Sequence, residues 1–255
     1  MLTPQQQDHF ATFGFLRLPQ LFSAEEMAAF TTAADALWTQ NEEPPVNDEI
    51  RLGQVVERDP LLRGLATDDR VWPAVEALMG PGFIWVGSEG NISNRAEIKW
   101  HSDRKYYRSG EEHWIDYPQV KLMLYLDELH RDSGCLRVIP GSHHPDHFVR
   151  KNKINVNDAE ALYGIAADEF PGQIALESDP GDVVIFNHEL YHASFGGSQR
   201  RRMFTMNCTR RAKTPEDMEL LQNYFSKHTP GAGGIDTSAG MYFPCLLYTS
   251  DAADE

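Results

Sequence analysis

The chain is poor in cysteine, with three in 255 residues: Cys135, Cys208 and Cys245. None is spaced from another like a zinc clip or a redox pair, so disulfide scaffolds and zinc fingers are excluded. Cys135 and Cys208 are expected as small buried hydrophobes. Positive charge is also scarce, 23 Lys and Arg against 38 Asp and Glu, for a net charge of -15. Affinity for nucleic-acid phosphates and anionic bilayers comes from clustered Lys and Arg, so neither partner is expected. No apolar run approaches the roughly 18 residues needed to span a bilayer, and the opening MLTPQQQDHFATFGF lacks the basic and apolar segments of a signal peptide. The expectation is a cytoplasmic protein, monomer or homodimer, acting on a small molecule. With 41% hydrophobic residues, a chain of this length builds a core large enough to enclose such a ligand.

The last eleven residues, CLLYTSDAADE at 245–255, back-translate to something like a transposon-end adapter used in library preparation. They are expected to be read-through and are set apart from the fold. Residues 1–244 are expected to form one domain: a mostly helical part at 1–82, a β core at 83–212, and a helix and tail at 213–244.

Two capping boxes mark helix starts in the first part. Thr3-Pro4-Gln5-Gln6 opens one, and Ser23-Ala24-Glu25-Glu26 opens another with Met27, Phe30 and Ala34 at helical spacing. Phe15-Leu-Arg-Leu-Pro19 alternates like a short strand between them. A third helix is expected at 69–78. From Phe83 the texture changes to short alternating or β-branched runs, with strands expected at 83–87, 95–102, 120–127, 135–140, 173–177, 182–186, 190–194 and 202–208. Such a series suggests an all-β sandwich or jelly roll. The stretch 143–171, rich in charge and Asn, reads as a loop inserted over one end of the sheet, with a helical turn near 159–163. A last helix starts at Thr214-Pro215 and carries Met218, Leu221, Tyr224 and Phe225 on one face.

Chemistry concentrates in two places. His101-Ser-Asp103 ends a strand-like run, and with a two-residue period both side chains face one way. A histidine from another strand would complete a two-histidine, one-carboxylate facial site, which leaves positions open on ferrous iron. A second such triplet, His144-Pro-Asp146, lies among turn residues and is a poor candidate. Further on, a buried strand at 182–186 leads to His188, His192 and Ser194, then a glycine turn, then Arg200-Arg201-Arg202. A guanidinium there suits a dicarboxylate, which it grips with two parallel hydrogen bonds.

Taken together, His101-x-Asp103, Asp132-Ser-Gly-Cys-Leu-Arg-Val-Ile-Pro-Gly-Ser-His143, Gly181-Asp-Val-Val-Ile-Phe, and His192-x-Ser194 with Arg201 resemble the phytanoyl-CoA dioxygenase family of iron(II)- and 2-oxoglutarate-dependent oxygenases. The opening Leu2-Thr-Pro-Gln-Gln, Phe15-Leu-Arg-Leu-Pro and Ser23-Ala-Glu-Glu are similar to the family's amino-terminal region. The resemblance implies a mainly β protein with flanking helices around a double-stranded β-helix, the cupin-like jelly roll. It implies His101, Asp103 and His192 as ligands of Fe(II), Arg201 on the distal carboxylate of 2-oxoglutarate, Ser194 hydrogen-bonded to that co-substrate, and Met123 lining its pocket with Tyr125 on the same face. His188 is the rival for the third ligand, but the family places its arginine roughly nine to eleven residues after the histidine, and Arg201 lies nine after His192 and thirteen after His188, which favours His192. Arg202 stays open as a rival of Arg201, since strand parity lets one of them face inward.

By the same resemblance His143 is a turn-stabilising residue. Arg104, Lys105, Tyr106, Tyr107 and Arg108 follow the iron motif directly and are expected either to line the substrate entrance or to form a solvated loop, and the 104–114 loop and the 143–171 insertion are expected to decide the substrate. The implied reaction uses O2 to hydroxylate an unactivated C–H bond of a small organic substrate, acyl-CoA-like or amino-acid-like or a natural product, releasing succinate and CO2. Retention of Asp103 disfavours halogenation. Two other classes stay open: a jelly-roll module that binds a metal or small ligand without turnover, and a cupin-like metal-dependent hydrolase or isomerase.

Overall fold

The computed structural model describes residues 2–41, 44–46, 48–103, 105–108, 111–114, 117–197 and 200–227, with the backbone alone for 105–108, 111–114 and 222–227. Both capping boxes form. Thr3 caps α1 (Pro4–Phe13) and Ser23 caps α2 (Ala24–Gln40), each side chain accepting from the backbone N–H three residues on. Gly14, in the left-handed conformation at φ 83°, ends α1 and turns the chain into β1 (Phe15–Leu18). A side chain at Gly14 would run into the His143 imidazole, so the position is glycine for space as well as for conformation.

Next come β2 (Glu49–Gly53), the short helices α3 (Val55–Arg58) and α4 (Pro60–Arg63), α5 (Trp72–Met79), β3 (Ile84–Ser93) and β4 (Glu97–His101). They are followed by the paired strands β5 (Lys105–Arg108) and β6 (Glu111–Trp114), then β7 (Gln119–Tyr125) and β8 (Leu136–Val138). The last part holds α6 (Phe148–Lys151), α7 (Ala159–Tyr163), β9 (Ile174–Leu176), β10 (Val183–Asn187), β11 (His192–Phe195), β12 (Arg201–Thr209) and α8 (Pro215–Lys227).

All named pairings are antiparallel. Six strands form a major sheet in the order β1-β10-β7-β12-β3-β2, and four form a minor sheet in the order β4-β11-β8-β9. This is the mainly β, jelly-roll core with flanking helices that the sequence suggests. The alternation along β7 explains the layering. Leu122 and Leu124 join the cluster with Met27, Phe30 and Trp38 of α2, while Met123 and Tyr125 pack with Leu136 and Val138 of the minor sheet. A strand buried on both faces reads as nearly continuous apolar sequence.

Several expectations are corrected. β3 runs on to Ser93, past the end expected at Gly87, and β2 was not expected at all. Ser88-Glu-Gly-Asn91 looks like a turn, but β12 and β2 pair with it on both sides. Gly90 is required because an added Cβ would sit 2.8 Å from Val55 Cγ2, and Trp38 Nε1 donates to its carbonyl at 3.2 Å. Within the segment 104–114, expected as a loop, residues 105–108 and 111–114 pair as strands β5 and β6. α5 begins at Trp72 rather than at 69. On α8, Leu221 is buried but Met218 is 47% exposed, so the expected apolar face is incomplete; the side chains of Tyr224 and Phe225 lie outside the described residues.

The 143–171 excursion does contain the helical turn at Ala159–Tyr163. It does not cover a sheet end, however. Val149, Val156, Ala159 and Phe170 pack on Trp100, Ala193 and Phe195, the outer face of the minor sheet.

Candidate metal centre

The excursion sets the first histidine through its neighbour. Asn157 acts like a missing strand: its Oδ1 accepts from Trp100 N at 2.9 Å, and its Nδ2 donates to Trp100 O at 2.8 Å. Trp100 Nε1 donates to Ala167 O at 2.7 Å. β4 then ends at His101, which stands directly across the ladder from His192 of β11. The two imidazoles lie 4.2 Å apart between ring centres. Asp103 is not on the strand, as alternation had suggested, but in the turn after it, where its backbone N–H donates to His188 O at 2.9 Å. The turn still brings its carboxylate round. One ligand atom each from His101, Asp103 and His192 lie within 4.8 Å of one another, and this is the group of metal-binding side chains found among the described residues.

Each imidazole is held by its far nitrogen. His101 Nδ1 lies 2.7 Å from Lys99 O, and His192 Nδ1 lies 2.9 Å from Leu190 O. A carbonyl can only accept, so Nδ1 carries the proton and Nε2 keeps its lone pair. Those Nε2 atoms face Asp103, at 3.9 Å for His101 and 3.6 Å for His192. Burial, reinforced by the neighbouring His101, pushes the His192 imidazole down to about 3, so it is neutral and able to ligate near pH 7. Burial alone would raise the Asp103 carboxyl, but the Lys121 ammonium and then the surrounding imidazoles outweigh it and hold the group well below its usual range. Lys121 Nζ sits 2.7 Å from Asp103 Oδ2, an ion pair off the line of a good hydrogen bond.

A cavity of about 320 Å3 opens beside the three residues, between the two sheets. Arg201, Ser194, Met123 and Tyr125 all line it. Arg201 opens β12 and is buried; its Nη1 donates to Gly134 O, and its Nε has no protein partner. The Asp132-Ser-Gly turn makes room for it, because an added Cβ at Gly134 would lie 2.7 Å from Arg201 Nη1. Arg202 points the other way, to Asp127 and to Asp35 at 2.8 Å. The parity left open by the sequence thus puts Arg201 inside. Ser194 Oγ is buried without a partner, and Tyr125 OH donates to Met123 Sδ at 3.8 Å.

The other sequence candidates fall elsewhere. His188 lines the cavity, but its Nε2 pairs with Asn207 Oδ1 at 3.1 Å. His143 Nε2 donates to Ala11 O at 3.1 Å, tying the Pro-Gly-Ser-His turn to α1. The His144 ring lies tilted against His143, 3.9 Å between ring centres, and is not among the residues lining the cavity. Arg104 lies outside the described residues, as do the side chains of Lys105, Tyr106, Tyr107 and Arg108. No residue of 143–171 is among the residues that line this cavity. Lys121 was missed. Its parity with Met123 and Tyr125 on one strand was the available signal.

The donor set fits the expected occupants. Two imidazoles and a carboxylate on one side of an open cavity match the facial site of non-haem iron. The unmet Arg201 Nε and Ser194 Oγ are donors suited to a carboxylate.

Comparison with known proteins agrees. The chain is 27% identical to an ectoine dioxygenase of Sphingopyxis alaskensis over 220 residues, 76% of this chain and 71% of that one. It is 26% identical to an ectoine dioxygenase of Bordetella bronchiseptica, with 76% and 70% covered. Its fold is that of HygX from Streptomyces hygroscopicus, solved with nickel and 2-oxoglutarate bound, at a TM-score of 0.64 and 21% identity over 82% of this chain and 88% of that one. The carbocyclase SnoK of nogalamycin biosynthesis, described as non-heme and alpha-ketoglutarate dependent, matches at 0.61 and 17% identity, with 90% and 92% covered. Fold and site define an iron(II)- and 2-oxoglutarate-dependent dioxygenase, with O2 as the oxidant. The chain belongs to the phytanoyl-CoA dioxygenase (PhyH) family, whose pattern matches residues 10–204.

Proposed function

We propose that His101, Asp103 and His192 hold iron(II) and that Arg201, Ser194 and Met123 seat 2-oxoglutarate, for hydroxylation of an unactivated C–H bond of a small substrate. The observation that carries this is the convergence of the three ligand atoms within 4.8 Å at the mouth of a cavity that also holds an inward-facing arginine. When bound, iron(II) with 2-oxoglutarate and O2 supplies the oxidation, and the co-substrate leaves as succinate and CO2.

The chain's own residues do the rest. Lys99 O and Leu190 O fix the imidazole planes by accepting from Nδ1, the kind of outer support that keeps a ligand aimed. Lys121 steadies the Asp103 carboxylate. Phe186, 4.8 Å from the His192 ring centre, backs that imidazole with an apolar wall that excludes water. The Arg201 guanidinium neutralises the distal carboxylate, and Ser194 Oγ donates a second hydrogen bond.

Acyl-CoA thioesters, amino-acid-like solutes and natural products all remain within this reading as substrates. With an acidic net charge of -15, a small molecule rather than a nucleic acid is the proposed partner, and the cytoplasm the proposed location. Residues 1–244 are proposed as one oxygenase domain, and 245–255 as adapter read-through.

The test is spectroscopic. Iron(II) and 2-oxoglutarate added without oxygen should give the weak visible charge-transfer band of the chelate. Asp103→Ala and His192→Ala should each abolish it; an unchanged band in both variants sinks the assignment.

A further inference from the structure

The polar lining of the cavity is not exhausted by the residues above. On the inner face of the major sheet, Thr205 of β12 is in register with Glu89 of β3, and Met203 with Asn91. Residues in register on neighbouring antiparallel strands share a face, so Thr205, Glu89 and Asn91 stand together at the cavity, all three among its lining residues. On the far side Glu89 is in register with Gly53 of β2, which has no side chain to cover it.

What distinguishes these residues is what they lack. Glu49, on the same wall, is paired with Arg51 at 2.9 Å and lies 3.8 Å from Arg95. Glu89 has no ion pair or hydrogen bond among the described residues, although Glu49 on the neighbouring strand β2 has cationic partners. Asn91 is 5% exposed, and its Oδ1 is buried without a partner. Thr205 is likewise 6% exposed and turned to the cavity. A buried polar atom left unmet by the protein calls for an outside partner. Here the buried unmet atom is Asn91 Oδ1, and beside it at the cavity stand the half-buried Glu89 carboxylate and the Thr205 hydroxyl, all able to accept, with a negative charge at the centre.

We propose that Glu89, flanked by Asn91 and Thr205, seats a protonated nitrogen of the substrate: an ammonium, amidinium or guanidinium group. This rests on the reading that the triad and Arg201 take iron and 2-oxoglutarate, which leaves the β2–β3–β12 wall for the molecule to be oxidised. Arg51, in register with Asn91 and also lining the cavity, is the cation on this wall, but its guanidinium is paired with Glu49 at 2.9 Å, so Glu89 is the charge left without a partner there among the described residues. The substrate's charged nitrogen therefore anchors it on the major sheet, and the carbon to be hydroxylated lies at the opposite end, toward the minor sheet.

Three probes of one skeleton test this: N-acetylputrescine, 4-acetamidobutan-1-ol and 4-acetamidobutanoate, which end in an ammonium, a hydroxyl and a carboxylate. Calorimetry is run on metal-free protein and, without oxygen, on protein loaded with iron(II) and 2-oxoglutarate. The amine should bind about tenfold tighter than the alcohol in both, the scale of one hydrogen bond to a charged group. Glu89→Gln should cut the preference to about twofold, and Glu89→Lys should make the carboxylate the tightest of the three. Binding of the amine no stronger than the alcohol's, absence of binding by all three included, overturns the proposal; so does a preference that survives in Glu89→Gln. A missing charge-transfer band with the amine preference intact overturns the iron reading and keeps the amine seat. A normal band with no preference does the reverse.

Discussion

Lys121 lies within 2.7 Å of the carboxylate that faces both histidines, and a partner of that kind typically tunes metal affinity by about 10–100-fold. Lys121→Met should therefore weaken iron(II) binding by about tenfold in an equilibrium titration, and Lys121→Arg should restore part of it. Equal affinity in wild type and Lys121→Met would show that the ion pair is incidental. The adjacent arginines give a sharper contrast. Arg201→Ala should raise the KM for 2-oxoglutarate by about 100-fold, the loss of two charge-assisted hydrogen bonds. Arg202→Ala should leave that KM within about twofold and lower the melting temperature instead, since it breaks the contacts to Asp127 and Asp35. At this scale the sequence was informative where residue type is constrained by chemistry: His101, Asp103, His192 and Arg201 all stand at the cavity. It was silent on Lys121 and Glu89, because a charged residue in a strand looks the same whether it faces solvent or a cavity.

The elements that were legible are those with local causes. Capping boxes at Thr3 and Ser23 announce themselves because the interactions span three residues. β2 and the second half of β3 were not legible, since Ser88-Glu-Gly-Asn91 becomes a strand only through pairing with β12 and β2; such non-local pairing overrides local propensity. One element junction carries unusual weight. Asp182, buried at the start of β10, accepts from Arg17 Nη2 at 2.6 Å, from the backbone of Gln20 at 2.8 Å and from the backbone of Asp179 at 3.1 Å. Burial by itself would raise its carboxyl, but these donors hold it below its usual value. Asp182→Ala leaves them unmet and should cost about 3 kcal/mol, seen as a drop of about 6–12 °C in melting temperature. A change under about 2 °C would mean that water replaces the carboxylate.

For the whole molecule, acid should act through histidine before it acts through carboxylates. Burial, followed by its neighbour His144, pushes His143 down from 6.5 to about 4. The folded state keeps this imidazole neutral while the unfolded chain takes up a proton, so stability is full above pH 6.5 and falls as pH drops toward 4. Melting temperature measured over that window should fall less steeply in His143→Gln than in wild type, and parallel curves would count against it. That the core is built of β-sheets was readable from the spacing of short strands, while the jelly roll with helices outside followed from the family resemblance. The location of 143–171 was not readable, because packing on the outer face of the minor sheet depends on four apolar residues scattered through a polar stretch.

The metal-facing histidines belong to the β4–β11 ladder of the minor sheet, while Glu89, Asn91 and Thr205 belong to the β3–β12 ladder of the major one. The two groups share a cavity but no backbone hydrogen bond. Substitutions on one leaf can therefore be sampled, by selection or by a designer, without re-aiming the imidazoles on the other. Such a division lets one oxidising centre be inherited unchanged while its choice of molecule drifts, and it makes positions 89, 91 and 205 the place to begin a library for new specificity.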